Sequence, residues 1–263
     1  MPESKVASKI SSKIADAADS TVAESVAEVV SAPIVLDPEM ERMFKAGAHF
    51  AFAKNRRHPS VKPLIFGVKN KVEIFDLEKT REYLAKAKEY MKKLGAAGST
   101  VLFVSGKSEA REAIERAGRV LGMPFVAGRW IGGTFTNFGQ IRKRIDRMEK
   151  LVSDREKGEL LKYTKKERLM IDREIANLQR FFGGIAIMKE LPKAIFVIDS
   201  KKEKTAVAEA HSVRVPIVAL CGSDCDLTDV TQPIPGNDTS VASINFFVNE
   251  IVAAYQEGKA TIK

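Results

Sequence analysis

An α/β fold on a mainly parallel sheet is predicted by three features of the chain. Thr100-Val101-Leu102-Phe103-Val104, Ala194-Ile195-Phe196-Val197-Ile198 and Pro216-Ile217-Val218-Ala219-Leu220 are continuous apolar runs, as strands covered on both faces require. Helical stretches separate such runs, and parallel strands need crossovers of that kind. The 263 residues are 44% hydrophobic, enough to build one such domain with an insertion, or two small ones.

Residues 1–36 contain no aromatic residue, and Lys5, Lys9 and Lys13 are outnumbered by Glu3, Asp16, Asp19, Glu24 and Glu28. They are expected to form a disordered N-terminal extension. Asp37 and Pro38 suit the start of a short helix, and Gly47 its end. Ala48 to Pro63 shows no clear period, contains Lys54, Arg56, Arg57, His58 and Lys62, and reads as a basic loop. Leu64-Ile65-Phe66 and Val72-Glu73-Ile74-Phe75 flank Lys69-Asn70-Lys71, which predicts a hairpin. A helix from about Leu77 to Leu94 is expected to stop at Gly95 and Gly98. Ser108 to Leu121 reads as a helix and Pro124-Phe125-Val126 as a short strand. A helix over about 202–213 and a last one from about Thr239 to Tyr255 complete the pattern, with residues 258–263 left as a tail.

The alternation stops between Asn137 and Phe182. Ile141, Ile145, Met148 and Val152 are spaced 4, 3 and 4, and Ile171, Ile175, Leu178 and Phe182 repeat that spacing. Each set forms one apolar stripe on an otherwise charged helix. Gly158 lies in the polar connection. A two-helix hairpin over 137–182 is therefore expected to project from an α/β domain formed by 37–136 and 183–257.

Forty-three Lys and Arg against 34 Asp and Glu give a net charge of +9 and a pI near 9.4, which favours a polyanionic partner. Two cysteines, Cys221 and Cys225, make no disulfide framework and point to a reducing compartment. No apolar run approaches the roughly 20 residues of a membrane helix, and residues 1–36 lack an apolar signal core and contain no Arg. The expected location is cytoplasmic, with no membrane partner.

Several motifs invite an enzymatic reading and fall short of it. Ser105-Gly106-Lys107-Ser108 follows a strand and opens a helix, where a phosphate loop would sit. The nucleotide motif needs a second Gly at position 101, which is Val101. Lys107 still stands where it can meet a phosphate. Ile195 to Asp199 resembles a magnesium-binding strand, but a capping Asp accounts for it better. No G-x-G-x-x-G follows a buried strand, so no dinucleotide cofactor is expected. His49, His58 and His211 are scattered, and the two cysteines do not form C-x-x-C. Asp224 and Asp226 around Cys225 fit a capped loop better than a cation site. No nucleophile motif is present. Neither a catalytic residue, a metal nor a cofactor is expected.

The strongest local string is Gly128-Arg129-Trp130-Ile131-Gly132-Gly133-Thr134-Phe135-Thr136-Asn137-Phe138, which contains the only tryptophan. Paired glycines permit close backbone approach or positive φ. The string suits a packed corner that orients the hairpin, or a loop that turns Arg129 and its amides toward phosphates. Arg142-Lys143-Arg144 and Arg147 follow it on one basic helix start, where Asp146 and Glu149 offer local pairs.

This string, continued by Ile141-Arg142-Lys143-Arg144-Ile145, resembles the signature of the bacterial small-subunit ribosomal protein S2 family. So do Gly47-Ala48-His49-Phe50, residues 56–66, Gly183-Gly184-Ile185, Leu191-Pro192-Lys193-Ala194 and Pro233-Ile234-Pro235-Gly236-Asn237-Asp238. The likeness runs in order from about Met43 to Tyr255. It implies a Rossmann-like or flavodoxin-like α/β domain with a protruding coiled-coil hairpin. It also implies a structural place in the small ribosomal subunit, binding of small-subunit rRNA, neighbouring ribosomal proteins as partners, and help in docking ribosomal protein S1. The expected RNA-facing residues are Arg56, Arg57, Lys62, Lys107, Arg129, Trp130, Gly132, Gly133, Thr134, Asn137, Arg142, Lys143 and Arg144. The family commonly has Gly-His where Ala51-Phe52 stand and Trp-Asn where Arg57-His58 stand.

Overall fold

The computed structural model describes residues 37–261. The expected N-terminal extension and the last two residues lie outside the described residues. Helix α1 (Pro38–Lys45) leads to a three-stranded antiparallel sheet of β1 (Phe50–Ala53), β2 (Ile65–Lys69) and β3 (Val72–Phe75), in the order β1-β3-β2. The predicted hairpin is β2–β3. Asn70 and Lys71 both take positive φ, 51° and 65°, which makes the tight two-residue turn whose twist matches its strands.

After α2 (Leu77–Ala96) come β4 (Val101–Ser105), α3 (Ser108–Leu121) and β5 (Phe125–Ala127). The chain then makes α4 (Phe138–Glu156) and α5 (Lys165–Phe182), followed by β6 (Ala194–Ile198), α6 (Lys204–Ser212), β7 (Ile217–Cys221), β8 (Gln232–Pro235) and α7 (Val241–Ala260). The second sheet has the order β5-β4-β6-β7-β8, and every neighbouring pair is parallel. Numbered along the chain this is 2-1-3-4-5, the flavodoxin-like winding, whose direction reverses between β4 and β6.

The apolar runs are explained by two core layers. Val101, Phe103, Phe196, Ile198, Val218 and Leu220 point to one side and pack with Leu84, Met91, Ile114, Phe247 and Tyr255 from α2, α3 and α7. The alternate residues Leu102, Val104, Ile195, Val197, Ile217 and Ala219 pack with Trp130, Ile141, Ile145, Phe182 and Val207. A strand's side chains alternate between faces, so both faces are buried only when every residue is apolar.

Ile141, Ile145 and Met148 of α4 and Ile175 and Phe182 of α5 are buried, as the stripes predict. The two helices are also joined at the surface by Arg147–Glu174 (2.7 Å) and Arg155–Asp172 (3.9 Å). Thr164 and Glu167 form a capping box at the start of α5, satisfying two amides that a helix end leaves without partners.

Three elements differ from the sequence expectation. The supposed loop 48–63 holds β1, which pairs with β3 through a bulge, and two 3₁₀ turns, Lys54–Arg56 and Pro59–Leu64. A four-residue strand interrupted by a bulge leaves no alternation to read. β8 escaped notice because Pro233 and Pro235 lie in it, which is tolerable only because it is an edge strand. Gly95 does not stop α2. It lies buried inside the helix, where an added Cβ would collide with the Tyr255 carbonyl of α7. Correspondingly α7 runs past Tyr255 to Ala260, and Tyr255 Oη donates to the Ser99 carbonyl at 3.0 Å.

Candidate nucleic-acid interface

In a 2-1-3-4-5 sheet, the crevice at the strand reversal is the usual ligand position. Here part of it is occupied by the protein's own side chains. Lys107, in the loop after β4, places Nζ 2.8 Å from Asp199 Oδ2 and 2.7 Å from Asp238 Oδ2, and donates to the Asp238 carbonyl at 3.0 Å. Asp199 follows β6 with a positive φ of 66° and accepts the Lys202 amide at 2.9 Å. Burial pushes the Asp238 carboxyl up to about 6, against the pull of Lys107 and with the repulsion of Asp199 and Asp224. Burial works against the Lys107 charge, but its two carboxylates raise its pKa overall. The buried Glu203 carboxylate closes on Gly106, and burial raises its pKa although the Gly106 amide donates to it. A phosphate would meet carboxylates where the nucleotide motif offers amides.

The same arrangement accounts for the other motifs. Asp199, Cys225 and Asp238 have ligand atoms within 4.8 Å of one another, but the Lys107 ammonium already pairs with both carboxyl groups. Asp224 pairs with Lys201 at 3.1 Å and Arg56 at 3.6 Å. Asp226 accepts the Thr228 amide and hydroxyl at 2.9 and 2.8 Å, the capped loop that the sequence favours. Both thiols are free and buried, and the Cys221 thiol is pushed well up by hydrogen bonding with the Cys225 thiol and by burial, so it makes a poor nucleophile.

The loop 128–137 joins β5 to α4. Its inner side is ordered by Glu209 of α6, 7% exposed. Glu209 Oε1 accepts Trp130 Nε1 at 3.1 Å and the Gly133 amide at 2.8 Å. Its Oε2 accepts the Phe135 and Thr136 amides at 2.9 and 3.4 Å. Burial pushes the Glu209 carboxyl up, but these donors together hold it below its ordinary value. Trp130 and Phe135 meet edge to face with centroids 5.2 Å apart. Thr134 Oγ1 donates to the Ile131 carbonyl at 2.6 Å. Gly133 takes a φ of 91°, in the region that favours glycine. Asn137 starts α4, its amide donating to the Gly133 carbonyl at 2.8 Å.

The sequence-predicted residues therefore divide into two groups. Trp130, Thr134 and Lys107 are buried. Arg57 is bonded at 2.8 Å to the fully buried Glu73. Arg142 braces the base of the helical pair through the Ala186 carbonyl at 2.9 Å and Asp146 at 2.9 Å. Lys62, Arg129, Gly132, Asn137, Lys143 and Arg144 are exposed, and Gly133 is half-buried. The side chains of Arg129, Lys143 and Arg144 make no hydrogen bond or ion pair among the described residues. Arg56 is exposed and lies over the Phe52 ring at 4.4 Å.

Arg129, Trp130 and Gly132 share a cleft of about 540 Å³ with Gly106, Lys202 and Thr205. Arg56 and Arg57 line another of about 540 Å³ with Lys201, Lys204 and His211. Sequence reasoning missed Lys202 and, above all, Glu209. The available signal was an acid among Ala206, Val207 and Ala210 on the buried face of α6.

A separate face is apolar. Phe44, Phe50 and Phe66 are 57%, 51% and 80% exposed and border a cleft of about 820 Å³ with His49, Val72 and Leu77. His49 stacks on Phe44 with centroids 4.5 Å apart.

A family model described as Ribosomal protein S2 matches residues 43–258. Small ribosomal subunit protein uS2 of Aliarcobacter butzleri is 41% identical over 223 residues, covering 85% of this chain and 84% of that protein. The protein of the same name from Micrococcus luteus is 42% identical over 221 residues, 83% of this chain and 77% of its own length. That from Sulfurimonas denitrificans is 41% identical over 221 residues, 84% and 85% of the two chains.

Proposed function

Since the chain belongs to the ribosomal protein S2 family, a family of structural constituents of the small ribosomal subunit, we propose that it binds small-subunit rRNA through the loop 128–137 and the outer face of α4. As a ribosomal component it is cytoplasmic, and among the described residues no helix is long and apolar enough to cross a membrane. The observation that supports the RNA reading is a set of exposed cations, Arg129, Lys143 and Arg144, without side-chain partners among the described residues, beside a loop whose inner side is held by Glu209. Cations that serve the fold have carboxylates or carbonyls nearby, as Lys107, Arg57 and Arg142 do. Those that serve a phosphate backbone are left free for it. Lys62 extends the proposed contact surface, with Arg56 exposed beside it although paired with Asp224, while Trp130, Gly133 and Thr134 shape it from beneath.

Each phosphate neutralised releases counterions, so affinity falls with salt. The variant with Arg129, Lys143 and Arg144 all replaced by Gln is expected to bind small-subunit rRNA more weakly. Its log–log salt slope should be shallower by about two to three ion equivalents. Thermal unfolding should be unchanged, since these side chains make no internal bond. Unaltered affinity and slope in the folded variant would remove this surface from the RNA interface.

The apolar face of Phe44, Phe50 and Phe66 is the proposed seat of ribosomal protein S1. An exposed aromatic patch rimming a cleft is the mark of a protein-docking surface.

A further inference from the structure

We propose that Glu209, which lies outside the basic surface, is the positioning residue that holds the loop 128–137 in its RNA-binding form; this rests on the rRNA-binding role given above. A loop without regular structure has amides with no ladder to join. Here three of them, with the indole of the only tryptophan, converge on one carboxylate. Backbone amides turned to one point resemble an anion nest, and in this molecule the chain supplies the anion. An added Cβ at Gly132 would lie 3.9 Å from Glu209 Oε1, so the loop passes close over the carboxylate.

Two consequences reach the surface. Trp130, held from below, fixes the preceding Arg129 on the cleft that it shares with Gly106 and Lys202. The Gly133 carbonyl, set by its own amide's bond to Glu209, receives the Asn137 amide and so sets where α4 begins. The exposed Lys143 and Arg144 follow from that start. One carboxylate thus determines how three cations are presented to a polyanion, without touching the polyanion. Only an acceptor at both oxygens does this. A glutamine keeps one oxygen and turns an N–H toward the remaining donors.

The test uses full-length protein, because Trp130 as the sole tryptophan reports on the Glu209 contact. Glu209→Gln and Glu209→Ala are compared with wild type and with Glu115→Gln, which removes the same charge from α3. Circular dichroism, Trp130 emission with quenching by acrylamide, and binding to a small-subunit rRNA fragment at several salt concentrations are measured.

Both Glu209 variants are expected to keep the fold. In Glu209→Ala, Trp130 emission should shift to the red and be quenched more easily. Affinity should fall on the order of ten-fold, and the salt slope should become shallower by about one. Glu209→Gln should lie between Ala and wild type, and Glu115→Gln should match wild type. If Glu209→Ala does not fold, Glu209→Gln decides alone. Unchanged Trp130 emission, or altered emission with wild-type affinity and salt slope, would overturn the proposal. Failure of the wild-type protein to bind rRNA would strike the functional reading instead, and the Trp130 arm would still show whether Glu209 sets the loop.

Discussion

Lys107 illustrates how far a residue's local motif can stand from its role. It opens a helix after a buried strand, yet its ammonium is bonded to Asp199 and Asp238. Removing one side of a buried pair leaves charge without compensation, at a cost of about 3–5 kcal/mol. Lys107→Met should be destabilised by that order. The sign of its pH dependence follows from Asp238, whose folded pKa of about 6 lies above its ordinary 3.8. A raised carboxylate pKa gives stability that is full at low pH and lost as pH rises through the folded value. Without Lys107 the folded value climbs further, so the deficit should be larger at about pH 8 than at about pH 5. Urea unfolding at the two pH values measures it. A deficit equal at both would mean that Lys107 acts through packing rather than charge.

At the level of elements, the crossing of α2 and α7 is set by two glycines. A Cβ on Gly95 would strike the Tyr255 carbonyl, and one on Gly258 the Lys92 carbonyl. Backbone cannot move aside as a flexible side chain can. Gly258→Ala should therefore cost about 1–3 kcal/mol through overpacking, although Ala is intrinsically the better helix former by about 1 kcal/mol. Gly139 of α4 has no atom within 4 Å of its added Cβ, so Gly139→Ala should be neutral or stabilising by up to about 1 kcal/mol. Urea midpoints of the two variants give the comparison. A stabilised Gly258→Ala would show that the helices separate at little cost.

The described residues join two sheets and leave the aromatic face of Phe44, Phe50 and Phe66 exposed among themselves. Asn237, after β8, donates its side-chain amide to the Gly47 carbonyl at 3.0 Å and its backbone amide to the Ala48 carbonyl at 3.0 Å. Ser223 accepts the Phe52 amide on its hydroxyl at 3.0 Å and the His58 amide on its carbonyl at 2.8 Å. The small sheet is thus anchored at the end of the parallel sheet where the Lys107 cluster lies. Phe66 is 80% exposed, so the fold gains little from it. Phe66→Asp is expected to leave stability and rRNA binding intact while lowering ribosomal protein S1 occupancy of purified small subunits about ten-fold or more. Undiminished S1 would place its docking elsewhere.

The parallel sheet and the apolar stripes of helices α4 and α5 were determined by sequence alone, because each rests on a local period. Strands buried on both faces must be apolar throughout, and a helix with one buried stripe must repeat at 3 and 4. The signature string 128–138 was equally legible as a landmark, and it marked the family. Tertiary structure alone decided which of its residues face inward, since Glu209 lies 79 positions from Trp130 and no local pattern links them. It also decided that Lys107 and Arg142 are bonded internally while the side chains of Lys143 and Arg144 have no partner among the described residues, and that Gly95 lies within a helix. Periodicity reports which way a side chain points. Only the folded chain decides which distant partner it meets there.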